Sequence, residues 1–162
     1  MRQTQMLLSP PVITANQQQI VSQALAILET QLKHRPYSFT SPEAVKTWLK
    51  LHLQPQSREC FMVLFLDNRH RLLASETVSV GTFNATIVYP REIVIRALYH
   101  RAAAVVLAHN HPAGDPTPSE ADRALTDRLV NALDLVDIRV LDHLIVGEVE
   151  PISLAEKGWL PC

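Results

Sequence analysis

Two histidines one residue apart, followed by a serine and an aspartate, give the pattern His109-x-His111-x7-Ser119-x2-Asp122. Two imidazoles and a carboxylate supply three ligands to a first-row metal and leave a fourth position for water, the donor set of a catalytic site. A zinc ion so held lowers the pKa of its water to about 7, and a nearby carboxylate is then needed to take and relay the proton. Histidines spaced i, i+2 just past a buried strand face one cavity if the backbone turns there, and an adjacent helix brings Asp122 back toward them. Asp115 is a second candidate for the third ligand, although its Gly-Asp-Pro setting suits a turn. Ser119-x-x-Asp122 also reads as a capping box at a helix start, so both residues have a purely local use as well.

The elements that must position this pattern follow from periodicity and from Pro and Gly. Residues 1–15 read as an arm, after which Asn16 caps an amphipathic helix presenting Ile20, Val21, Ala24, Leu25, Leu28 and Leu32. Pro36 ends that helix; Ser41-Pro42-Glu43 starts a second, carrying Val45, Trp48 and Leu49 to about Leu53. The apolar run Cys60 to Leu66 predicts a buried strand, and Asp67 to His70 a turn into a second strand over 71–80. A short strand over 86–89 precedes a helix opened by Pro90, with Ile93, Val94, Ala97 and Leu98 on one face. The next strand, 102–108, stops at His109, where a loop rich in Pro, Gly and Asp leads to a helix over 119–133. Residues 138–141 and 143–146 read as a pair of strands, with a short terminal piece around 153–159. Strands and helices alternate without a strict βαβ rhythm, which predicts an α/β fold with helices packed on a mixed sheet.

The run His109-Asn110-His111-Pro112-Ala113-Gly114-Asp115-Pro116-Thr117-Pro118-Ser119 resembles the JAMM (JAB/MPN) metalloprotease signature in its RadC branch. The likeness extends from Arg58-Glu59 through Tyr89-Pro90-Arg91-Glu92 to the stretch from Val140 to Gly147. It implies a three-layer αβα sandwich around a mixed central sheet, related to the deaminase fold, spanning residues 36–162 after an N-terminal segment 1–35. It further implies zinc held by His109, His111 and Asp122, Ser119 stabilising the oxyanion, and Glu59, just before the first buried strand, as general base and acid. Glu76 and Glu92 are weaker candidates for that acid. The implied substrates are peptides or isopeptides. Longer RadC-like proteins carry an N-terminal helix-hairpin-helix segment that depends on glycine; residues 1–80 contain none, so the chain resembles a short form.

Asp142-His143 is another tempting metal pair, but between two apolar strands a satisfied structural histidine is the plainer reading. A nucleobase deaminase would need His-x-Glu and a later Pro-Cys-x-x-Cys, which the chain lacks. The branch name points to DNA repair, and Arg91, Arg96, His100 and Arg101 give one helix some basic character; a DNA-associated accessory protein with a structural or vestigial metal site is therefore the alternative. A net charge of -1 over 162 residues supplies no overall basic field for it. Cys60 and Cys162 form no disulfide framework and no segment reads as a membrane span or export signal, so a cytoplasmic protein with no membrane partner is expected. A homodimer would cover Ile20, Leu25 and Leu28 if these stay exposed.

Overall fold

Burial on both faces organises the sheet. In β1 (Cys60–Leu66) every residue is buried, and alternate side chains go to opposite layers. Cys60, Met62, Leu64 and Leu66 join Val45, Trp48, Leu49 and Leu53 of α2 (Pro42–Leu53) in one core. Phe61, Val63 and Phe65 join Ile93 and Ala97 of α3 (Pro90–Tyr99) and Leu129 and Leu133 of α4 (Glu120–Asp134) in the other. Helices on both faces remove any reason for polar alternation, which is why this strand is an unbroken apolar run. Each large side chain so buried stabilises the fold by about 1.5–3 kcal/mol.

The computed structural model describes residues 14–34, 42–81 and 87–160. Its five-stranded sheet has the order β2-β1-β3-β4-β5 and, with the helices on either side, forms the three-layer αβα sandwich. The remaining strands are β2 (Leu72–Val80), β3 (Ala104–Asn110), β4 (Arg139–Val146) and β5 (Ile152–Ser153). β3 and β4 run parallel and are joined across α4; β1 is antiparallel to β2 and β3, and β5 to β4, so the sheet is mixed. α1 (Ala15–His34) lies on α2, with Leu25 and Leu28 partly buried against that core while Ile20 and Ile27 stay exposed. No helix among the described residues is long and apolar enough to cross a membrane.

Several sequence expectations are corrected. α1 is capped by Thr14 and not Asn16: Thr14 Oγ1 accepts from the Gln17 amide at 3.3 Å while Gln17 Oε1 accepts from the Thr14 amide at 2.8 Å. The strand expected to stop before His109 runs through His109 and Asn110. The pair of strands expected around Asp142 is one strand, β4, with a register shift opposite Val105 and Val106. Asp142 does not break it, because its carboxylate accepts from Ser153 Oγ at 2.7 Å and from the Ala155 amide at 3.1 Å, tying β4 to β5 and the turn beyond. Residues 87–89 are not a strand. The arm through residue 13, the stop at Pro36, the cap at Ser41 and residue 86 lie outside the described residues.

Candidate metal centre

Strand alternation places the first candidate ligand. Val105 and Leu107 face the α3/α4 layer, so His109 points the same way at the strand's end, and it is 1% exposed. Beyond Asn110 the chain leaves the sheet, yet the His111 amide still donates to Val146 O at 2.8 Å. Gly114 then turns the loop at φ +96, a left-handed torsion that favours glycine. The loop is pinned to the end of β4 by Glu148 N donating to Gly114 O at 2.8 Å, and it returns to α4, whose N-cap is Ser119.

These elements converge on one point. His109 Nε2 lies 3.1 Å from Asp122 Oδ1, His111 Nε2 lies 3.4 Å from Asp122 Oδ2, and the two Nε2 atoms are 3.0 Å apart. A tetrahedral ion with bonds of about 2.0–2.1 Å would separate its ligand atoms by roughly 3.3–3.4 Å, so the three groups are spaced as such an ion requires. The other ring nitrogens face outward: His111 Nδ1 lies 2.8 Å from Asp115 O, and His109 Nδ1 lies 2.8 Å from His143 Nε2. This donor set fits a first-row cation.

The capping box of α4 is real and belongs to the same construction. The Ser119 hydroxyl accepts from the Asp122 amide at 3.1 Å and donates to Asp122 Oδ2 at 2.8 Å, and the Ser119 amide donates to that oxygen at 2.7 Å. The cap thus fixes the Asp122 carboxylate. Burial alone would push the Asp122 carboxyl up, but the His109 and His111 imidazoles beside it outweigh that and hold the group well below the usual carboxylate range. His111 is raised, first by its hydrogen bond to Asp122, against the opposing effect of burial.

A cleft of about 600 Å³ opens over this centre, with Glu59, His111, Ser119 and Asp122 in its wall. Glu59 is held at both flanks: its carbonyl accepts from the Gly81 amide at 2.8 Å, and the next amide, of Cys60, donates to Asn110 Oδ1 at 2.7 Å. Asn110 Nδ2 also donates to Arg58 O at 3.0 Å, so the residue between the two histidines fastens the segment that carries the acid. The weaker acid candidates lie elsewhere: Glu76 pairs with Arg96 and His100, and Glu92 lies 3.5 Å from Arg91. Asp115 is not a ligand in this arrangement; its Oδ1 accepts from the Thr117 amide and hydroxyl. Asp142 and His143 are not a metal pair, since Asp142 is bound to β5 while His143 is fully buried and lies 2.7 Å from Thr126 Oγ1. Sequence reasoning missed Asn110 and Thr126; the signals were a polar residue closing an apolar strand and a hydroxyl one turn beyond Asp122 on the helix.

The comparisons agree with this architecture. The RadC-like JAB domain family profile matches residues 39–159. The chain is 52% identical to the UPF0758 protein YkfG of Escherichia coli (strain K12), over 93% of this chain and 96% of that one. It is 51% identical to the UPF0758 protein YfjY of the same strain, over 93% and 94% of the two chains. A longer relative, the UPF0758 protein Smlt0399 of Stenotrophomonas maltophilia (strain K279a), is 56% identical over 82% of this chain and 57% of its own. The chain belongs to the RadC-like JAB domain family.

Proposed function

We propose that this chain is a zinc-dependent hydrolase of amide bonds, acting on a peptide or isopeptide through water activated at the His109, His111 and Asp122 centre. The observation that carries this reading is that His111 and Asp122 of the three-residue donor set line one open cleft together with a further carboxylate, Glu59, and the helix-capping Ser119. A cation there would supply Lewis acidity, lowering the pKa of a water and polarising the scissile carbonyl. Glu59, at the cleft wall, takes the proton from the water and delivers it to the departing amine. Ser119 stands at the N-terminus of α4, and turning its hydroxyl proton from Asp122 Oδ2 to the carbonyl oxygen is what would let it stabilise the negative charge developing there. Asp122, kept ionised, holds charge at the centre without competing for that proton.

The alternative of a DNA-associated protein finds less support in the charges. Two of the basic groups of α3 and its C-cap, Arg96 and His100, are engaged by Glu76, which leaves that surface little net field. The test is metal content and hydrolysis of a peptide and isopeptide panel for wild type, Glu59→Gln and the His109→Ala, His111→Ala double variant. About one zinc in wild type and Glu59→Gln, with turnover reduced at least 100-fold in the latter, supports the reading. Wild-type protein that takes up no metal when zinc is offered overturns it.

A further inference from the structure

Behind the centre runs a line of buried hydrogen-bonding groups that the hydrolytic scheme does not use. Asp122 O lies 2.6 Å from Thr126 Oγ1, Thr126 Oγ1 lies 2.7 Å from His143 Nδ1, and His143 Nε2 lies 2.8 Å from His109 Nδ1. Thr126 is 1% exposed and His143 is 0% exposed, so the series is shielded from bulk solvent. The direction of every bond follows from counting protons. A carbonyl oxygen has none, so Thr126 must spend its one hydroxyl proton on Asp122 O and can only accept from His143. His143 Nδ1 therefore carries a hydrogen. A fully buried imidazole with no carboxylate partner stays neutral and has one hydrogen, so His143 Nε2 is a bare acceptor, and His109 Nδ1 must donate to it. A neutral His109 is then left with its lone pair on Nε2, the nitrogen that faces Asp122 and His111.

We propose that Thr126 and His143 are positioning residues that fix the tautomer of His109, so that its Nε2 is presented as a metal ligand before any cation arrives. The series begins at the backbone of Asp122 and ends on the ring that shares the centre with the Asp122 carboxylate. The helix that supplies one ligand therefore dictates the protonation of another. His111 is set separately, by Asp115 O, which has no proton to offer and so requires Nδ1–H on that ring as well. Were His109 in the other tautomer, Nε2–H would point into the donor set and block it.

This inference rests on the proposed metal site, but its first readout does not need metal. Long-range proton–nitrogen NMR spectra of the metal-free full chain at pH 8 should show His109 with Nδ1 protonated and Nε2 bare; the opposite assignment overturns the proposal whether or not zinc binds. Zinc affinity then tests its consequence. Thr126→Val keeps the side-chain volume and removes the hydroxyl, and His143→Leu removes the acceptor; each should weaken zinc binding about 10–100-fold. Thr126→Ser and His143→Gln, which restore a hydroxyl and an acceptor at the Nε2 position, should stay within a few fold of wild type. Folded Thr126→Val or His143→Leu protein with wild-type affinity sinks the proposal. If wild type binds no zinc while His109 shows the expected tautomer, the metal reading fails and the relay stands.

Discussion

Two places in this molecule set one carboxylate between two nitrogen side chains. Glu76, on β2, is paired with Arg96 and His100 where α3 packs on the edge of the sheet; Asp122 faces His109 and His111 at the end of β3. Both carboxyls are held below their usual range by those partners, against burial. The difference lies in what the nitrogens can offer. A guanidinium has five donors and no lone pair, so the Glu76 cluster closes on itself as an ion pair. At Asp122 both partners are imidazoles, each with its Nδ1 occupied from behind, so two lone pairs and a carboxylate oxygen converge. The reading of the Asp122 cluster as a cation site thus rests on the partners behind its two imidazoles.

The largest expected effect separates the two clusters outright. Asp122→Asn should weaken zinc binding by more than about 100-fold, because a neutral amide replaces a charged ligand, whereas Glu76→Gln should leave it unchanged. Titration with zinc and a competing chelator measures both; equal losses would erase the distinction. A smaller effect is the response to pH. The raised pKa of His111 means that below it a proton must be displaced before a cation can bind, while Asp122 stays ionised and adds no slope. Zinc affinity should therefore fall about tenfold or more between pH 8 and pH 6, with the same slope in Glu76→Gln. A flat profile would mean that His111 is not a ligand. The smallest effect belongs to the strut: Glu76→Gln should cost about 1 kcal/mol in urea unfolding. Since Glu76 is lowered in the folded chain, its contribution is present above the unfolded value of about 4.3 and lost as pH falls through the folded one, so wild type and variant should converge in acid.

The contrast also explains what could be read from the sequence. The candidate ligand types and their spacing were legible in the loop itself, the mixed sheet with packed helices in the periodicity, and the sandwich in the resemblance to a known signature. The ends of β3 and β4 were not. Asn110 and Asp142 look like strand breakers, and only the structure shows the Cys60 amide and the Ser153 hydroxyl that satisfy them at 2.7 Å each. His143 was legible as a buried structural histidine, but not as the neighbour of His109, since their meeting depends on β3 and β4 lying side by side in parallel. The capping box was read as a competitor to metal ligation; in three dimensions the same hydrogen bonds aim the carboxylate.

One contact decides how the ligand loop moves. Gly147, just past β4, has no room for a Cβ, which would fall 2.2 Å from Gly114 O, and this closeness lets the next amide bond that oxygen. With His111 N bonded to Val146 O, the loop has two rungs on the sheet. Its amides share the sheet's cooperative opening, so the His111 N–H should resist exchange with solvent deuterium for as long as its neighbours in β4 do. On the proposed function, the two hydrogen bonds would make residues 111–116 a fixed wall against which a substrate is sorted by its shape, with no closing flap.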